Sequence, residues 1–269
     1  MKRSALGIVT VLLFGCPSSS EKTTPDLAPA TGGPVGFVSV YSDRESGSAR
    51  VSAAFLRDGS AFVCTEITEG ACTFFDCAAR PAPDGGVGTP ASAGAIAITG
   101  GSEAVALGVA SDGYYDPVVV NAALFAGGET LTVSATGGAG EVPAFGASLA
   151  APKVAIVTAP ALPSGDLIVD RSQDLTVSWS NVITETLLVT IGGQRQLPLE
   201  VECSFPGSGG TGVVPTSLLA RLPKGGGFFE IMTRAEKQTK TGSWTIEFRA
   251  GVYATNAAGA TLVGGVDLQ

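Results

Sequence analysis

The sequence predicts an all-β protein, built as two consecutive antiparallel β-sandwich domains, the second loosely immunoglobulin-like. Three observations lead to this fold class. Apolar and polar residues alternate with a period of two, the apolar runs are short and rich in β-branched or aromatic residues, and Gly, Asp and Pro separate them. Short strands that recur about every 8 to 12 residues are typical of sandwiches and barrels.

The N-terminus has the features of an export signal. Lys2 and Arg3 form a basic region, and the apolar run that follows ends at Phe14, too short for a membrane-spanning helix of about 20 residues. Leu13-Phe14-Gly15-Cys16 resembles the lipobox of bacterial lipoproteins, in which the cysteine receives diacylglycerol. We expect residues 1–15 to be a cleaved signal peptide and Cys16 to be lipidated, with an ordinary secretory signal as the alternative.

Residues 16–34 are predicted to be a disordered tether. Ser, Thr, Pro and Gly dominate this stretch, and it has too few apolar residues to form a core. Acyl chains on Cys16 would hold the protein on a membrane. In lipoproteins of this kind, a residue other than Asp after the cysteine implies sorting to the outer membrane, and here that residue is Pro17. The expected location is therefore the outer membrane. The sequence does not indicate whether the folded part faces the periplasm or the exterior.

The two predicted domains comprise residues 35–151 and 152–269. Pro152 and the small residues before it mark the boundary. A short helical turn is predicted near residues 215–222, because one proline precedes it and another closes it. The strands of the first domain are expected at 37–41, 61–64, 96–98, 105–107, 118–125 and 130–135. Those of the second are expected at 154–157, 175–179, 187–191, 199–205, 228–232, 244–248 and 251–254.

Four cysteines remain after Cys16, an even number that predicts two disulfides in an exported protein. Three pairings are possible. Our first choice joins Cys64 to Cys72 across a hairpin, which leaves Cys77 to pair with Cys203 and to staple the two halves together. Zinc is disfavoured, since Cys203 is distant in sequence and the chain has no histidine.

Several segments resemble a group of uncharacterised predicted lipoproteins of myxobacterial type. The likeness begins with Cys64 and Gly70-Ala71-Cys72-Thr73-Phe74-Phe75-Asp76-Cys77, and continues through residues 93–101, 131–138 and 142–145 to Cys203-Ser204-Phe205 and Val214-Pro215. It would cover most of residues 37–222. The resemblance implies a location and a fold, and it implies no activity, ligand or site residue.

Composition excludes several functions. The chain has no histidine, which removes Ser-His-Asp and Cys-His nucleophile activation and most transition-metal hydrolase sites. Its net charge is −8, and the loss of Lys2 and Arg3 with the signal makes it more acidic, so nucleic acid is not an expected partner. We expect no enzyme activity, no cofactor and no bound metal.

One loop is the best candidate for ligand binding. Asp112, Tyr114, Tyr115 and Asp116 combine carboxylate oxygens with adjacent aromatic rings, which could stack on a sugar or peptide, although turn formation explains the same residues. Elsewhere, Glu200 and Glu202 should share one face of a strand, most simply as an exposed polar face.

Three functions are consistent with these features. The favoured one is a non-catalytic binding or adhesion module, tethered to the envelope, whose partner is a surface polysaccharide or an envelope protein. The second is a structural envelope lipoprotein that packs against other components through a flat apolar patch. The third is a carboxylate-dependent glycoside hydrolase, for which Glu200 and Glu202 would need to line a cleft.

Overall fold

A computed structural model describes residues 33–43, 46–57, 62–79, 89–110, 113–161, 167–181, 183–193 and 199–269. The predicted signal peptide, Cys16 and nearly all of the tether lie outside these residues. The described chain is almost entirely β-structure, with several sheets stacked on one another, and the all-β sandwich prediction is confirmed. Within these residues, no helix is long and apolar enough to cross a bilayer.

Nineteen strands, one α-helical turn and one 3-10 turn (Gly207–Gly209) are found among the described residues. The strands before residue 151 are β1 (Val35–Asp43), β2 (Ser48–Leu56), β3 (Phe62–Glu69), β4 (Cys72–Ala79), β5 (Ile96–Thr99), β6 (Val105–Leu107), β7 (Val118–Val120), β8 (Thr130–Ala135) and β9 (Phe145–Ala150). Those after it are β10 (Ile156–Ala159), β11 (Leu167–Val169), β12 (Leu175–Ser180), β13 (Thr186–Gly193), β14 (Leu199–Pro206), β15 (Thr211–Val214), β16 (Gly225–Thr241), β17 (Trp244–Tyr253), β18 (Thr255–Asn256) and β19 (Val263–Leu268). The helical turn α1 spans Thr216–Leu219, inside the predicted segment.

One large sheet of 11 strands forms a complete layer of the molecule. Its main order is β3-β4-β14-β13-β16-β17-β1-β2-β7, and β19 pairs with both β16 and β11. Strands from both sides of residue 151 therefore alternate within a single sheet, which crosses the predicted domain boundary. The sheet is also mixed, since β1 runs parallel to β17 and β11 runs parallel to β19. Parallel neighbouring strands must be joined by a long crossover connection. The alternation of apolar and polar residues along the chain does not show which strands are joined in this way.

Two four-stranded sheets cover one face of the large sheet. Their orders are β6-β5-β8-β9 and β15-β12-β10-β18. A first core lies under the earlier sheet and includes Trp244, Ile246 and Phe248 of β17, while a second core lies under the later sheet and includes Cys72 and Phe74 of β4. Each core thus takes side chains from the other half of the sequence.

The helical turn α1 is fixed by one arginine. Nη1 of Arg171 donates hydrogen bonds to the carbonyl oxygens of Ala220 and Leu222, at 3.0 and 2.5 Å. Asp174 accepts from the backbone N–H of Thr216 at 2.8 Å. These bonds satisfy polar groups that a four-residue turn leaves open at both of its ends.

The two predicted disulfides are present, but the predicted pairing is wrong. Cys64 is bonded to Cys77, and Cys72 to Cys203. The reason is strand register. The β3–β4 hairpin turns at Gly70 and places Cys64 directly opposite Cys77, while β14 lies on the other side of β4 with Cys203 opposite Cys72. Cys64 and Cys72 flank the same turn, but they are never cross-strand neighbours.

Candidate functional site

The loop predicted to bind a ligand is divided by the structure. Tyr115 is only 5% exposed and lies in the first core, where its hydroxyl donates to the carbonyl of Gly94 at 2.7 Å and accepts from the N–H of Ala93 at 2.8 Å. Burial raises the pKa of this phenol. Tyr115 is therefore a structural residue, which corrects its proposed role in binding. Tyr115 forms an isolated β-bridge with Val109, and adjacent side chains of extended backbone point to opposite sides, so the two rings do not share one surface.

The other residues of that loop are exposed. Tyr114 is 39% exposed and Asp116 is also on the surface. Asp112 lies outside the described residues. Tyr114 and Asp116 can still contact a partner, but the paired-ring platform that the sequence suggested does not form.

The two tryptophans are core residues. Trp179 lies in the second core and donates its indole N–H to the carbonyl of Gly207 at 2.8 Å, and Trp244 lies in the first core. Neither ring is available as a binding platform.

Charge is distributed unequally among the sheets. In the strands that the structure describes, every charged side chain belongs to the large sheet, and none lies in either four-stranded sheet. We call the face of the large sheet that points away from the two cores the outer face. Alternation along the strands places these charged residues on it: Asp43, Arg50, Glu66, Glu200, Glu202, Glu230, Arg234, Glu236, Glu247 and Arg249.

An alternating row of charges lies at the centre of the outer face. Arg249 donates two hydrogen bonds to the carboxylate of Glu247, each at 2.8 Å, and its guanidinium lies 5.0 Å from the ring centre of Phe37. Glu236 is opposite Arg249 on β16 and is 3.4 Å from Arg234. Both arginines are buried, at 3% and 8% exposure. Their planar guanidinium groups are thus held in fixed orientations.

Two aromatic rings lie close against the backbone of the outer face. A Cβ atom on Gly251 would lie 2.7 Å from the ring of Tyr41, and one on Gly192 would clash with the ring of Phe228. Glycine at these two positions therefore makes room for the rings. Both rings are half-buried, which leaves part of each available to a partner.

Tyr253 lies on the outer face beside the charged row, at the last position of β17. It is opposite Met232 on β16, and Asp43 and Glu230 are near enough to affect its ionisation. Burial is the main cause that raises the pKa of Tyr253, and these carboxylates raise it further. Its phenol is therefore neutral at physiological pH and can donate a hydrogen bond.

Glu200 and Glu202 share the outer face of β14, as predicted. Both are half-buried, and Thr73 and Phe75 of β4 are their cross-strand neighbours. No group of three or more potential ligand residues that could hold a metal ion is found among the described residues.

Sequence reasoning missed most of the outer face. The residues come from β1, β2, β3, β14, β16 and β17, which are distant in sequence and share one face only through sheet pairing. One signal was visible in the sequence. The segments Gly225–Thr241 and Trp244–Tyr253 carry several charges, most of them at alternating positions, whereas most other predicted strands carry none.

Comparisons with known proteins add little to this site. No family model matches the chain, and no curated protein matches it. Among solved structures, the chain is similar to one described as "Structural insight into host cell surface retention of a 1.5-MDa bacterial ice-binding adhesin". The identity is 13% and the TM-score is 0.22, with 88% of this chain and 66% of that chain covered. A TM-score this low does not establish a shared fold.

Proposed function

We propose that this protein is a lipid-anchored binding or adhesion module of the cell envelope, which binds a surface polysaccharide on the outer face of its large sheet. Cys16 supplies the anchor and residues 16–34 the tether. The proposal includes no catalytic step, no cofactor and no nucleic-acid partner.

One observation carries the proposal: the charged residues of the described strands all lie in the large sheet, and most of them lie on its outer face, which also presents aromatic rings. Flat rings stack on the apolar faces of sugars, while oriented arginine, glutamate and tyrosine groups bond to hydroxyls. The outer face supplies both kinds of contact, with Tyr41 and Phe228 as rings and Arg50, Glu202 and Tyr253, all half-buried, as polar groups. A strand scaffold holds these side chains without the entropy cost of ordering a loop.

A structural role in the envelope is supported less well. It would require a continuous apolar patch on the surface. The large apolar side chains that are exposed in the described residues are instead scattered over two sheets and a loop: Val119, Ile168 and Val263 in the large sheet, Ile156 and Val213 in the sheet β15-β12-β10-β18, and Val109 and Tyr114 outside the strands. Single exposed apolar residues are normal on a soluble protein surface.

The test is a glycan array together with a pull-down from envelope extract, using the mature chain with Cys16→Ser. Glu200→Lys/Glu202→Lys reverses two charges on the outer face and should abolish binding. Glu103→Lys/Thr176→Lys places two lysines on exposed positions away from that face and should bind normally. Circular dichroism checks that each variant is folded.

A third variant tests the loop. Tyr114→Ala/Asp116→Ala removes the exposed part of the predicted ligand loop and should also bind normally. If the loop variant loses binding while the outer-face variant keeps it, the binding site lies in the loop and the assignment to the outer face is wrong. Absence of binding to every glycan and extract would contradict the proposed function itself.

A further inference from the structure

The first strand after the tether lies in the interior of the large sheet. β1 pairs with β17 from Val35–Thr245 to Ser42–Val252, and with β2 from Val35–Leu56 to Asp43–Ser48. The pairing extends just past the strand, since the N–H of Thr245 donates to the carbonyl of Pro34 at 3.1 Å. The chain thus passes from the tether directly into a strand that is bonded on both sides along its whole length.

The register also shows where the chain enters and leaves the sheet. Val35 is level with Thr245, which is opposite Lys240 of β16, whereas Leu268 of β19 is opposite Gly225 of the same strand. About 15 residues of β16, or about 50 Å, separate these two levels. β1 and β19 run in the same direction, because β17 and β19 are both antiparallel to β16. Entry and exit are therefore at opposite ends of the sheet along the strand axis.

This arrangement determines how the sheet responds to a pulling force. A force along the strands loads all the hydrogen bonds of β1 at the same time, since ladder bonds lie across the strand direction. A force across the strands at one end opens the ladder one pair at a time. Longitudinal sliding of β1 must also drag Val38 and Val40, both fully buried, out of the first core.

We infer that β1 is the force-bearing strand of the molecule, through which tension from the membrane tether is transmitted into the large sheet in shear. The inference rests on the proposed anchoring through Cys16. Where the proposed polysaccharide partner is itself fixed to a surface, tension between that partner and the tether passes through β1.

Force spectroscopy with two pulling directions tests the inference. In both cases the mature chain, with Cys16→Ser, is held by a handle at its N-terminus. The second handle is at Gln269 in the first geometry and at Ser243→Cys in the second. Ser243 is exposed and adjoins Trp244, at the same end of the sheet as Val35. The first geometry loads β1 in shear, and the second peels strands apart from one end.

We expect the rupture force to be at least about twofold higher in the first geometry, because the paired residues of β1 share the load. Equal forces, or a lower force in the first geometry, would overturn the inference.

A crosslink locates the strand that yields. Val35→Cys/Thr245→Cys joins β1 to β17 where β1 begins, and these two residues are direct neighbours. If β1 bears the load, the crosslinked protein should resist a higher force and should release less chain at its first rupture. An unchanged force and an unchanged released length would show that another element yields first and would refute the inference. No ligand is used, so this result is separate from the outcome of the binding experiments.

Discussion

Buried charges on the outer face depend on their partners at the level of single residues. Arg249 is almost inaccessible to solvent and bonds to Glu247 through both carboxylate oxygens. We predict that Glu247→Gln lowers the free energy of unfolding by about 3 kcal/mol, because it leaves a buried guanidinium without its counter-charge. Urea unfolding measures the change. Glu236→Gln is the matched control: the Glu236 side chain is 54% exposed, and its loss should cost about 0–1 kcal/mol. Equal losses of stability in the two variants would show that Arg249 does not depend on Glu247 as its buried counter-charge.

Tyr115 gives a second prediction at this scale. Tyr115→Phe keeps the ring in the core and removes only the hydroxyl that bonds to Ala93 and Gly94. We expect a loss of about 1–3 kcal/mol, since a buried N–H and a carbonyl group lose their partner. Tyr114→Phe at the neighbouring exposed position should cost clearly less, because water can replace the hydroxyl. Thermal denaturation of both variants provides the comparison. If Tyr115→Phe leaves the stability unchanged, water must reach the N–H of Ala93 and the carbonyl of Gly94.

Among the elements, the β3–β4 hairpin is the one held most strongly by covalent bonds. Cys64–Cys77 closes the hairpin itself over a sequence separation of 13, and Cys72–Cys203 attaches it to β14 over a separation of 131. The longer loop has more entropy to lose in the unfolded chain. Removal of Cys72–Cys203 by a double alanine substitution should therefore cost about 5 kcal/mol, against about 3 kcal/mol for Cys64–Cys77. Unfolding curves of the two variants test the order, and a larger loss for Cys64–Cys77 would contradict it.

For the whole molecule, the shared large sheet makes each half of the chain depend on the other. β17 supplies Trp244, Ile246 and Phe248 to the first core and is the parallel partner of β1. We predict that residues 35–151 expressed alone do not fold, and that the mature chain unfolds in one cooperative transition. Circular dichroism and the dispersion of amide proton chemical shifts show whether the fragment folds. Urea unfolding of the mature chain shows whether it has one transition. A folded fragment would show that residues 35–151 form an independent domain.

The local features of this protein were determined by its sequence alone. Alternation with a period of two predicted the all-β class, the prolines around α1 predicted the helical turn, and the even number of cysteines predicted two disulfides. The first two depend on residues that are close together in the chain, and the third depends only on the cysteine count. The same alternation placed Glu200 and Glu202 on one face without knowledge of their neighbours.

The tertiary structure alone decided which distant segments meet. Pairing of β4 with β14 sets Cys72 opposite Cys203, pairing of β1 with β17 joins the two halves, and the outer face exists only because strands from across the chain belong to one sheet. The physical reason is that many strands with the same alternating pattern can pair equally well by pattern alone. The packing of the two cores, and not the pattern along the chain, selects the neighbours of each strand and their register.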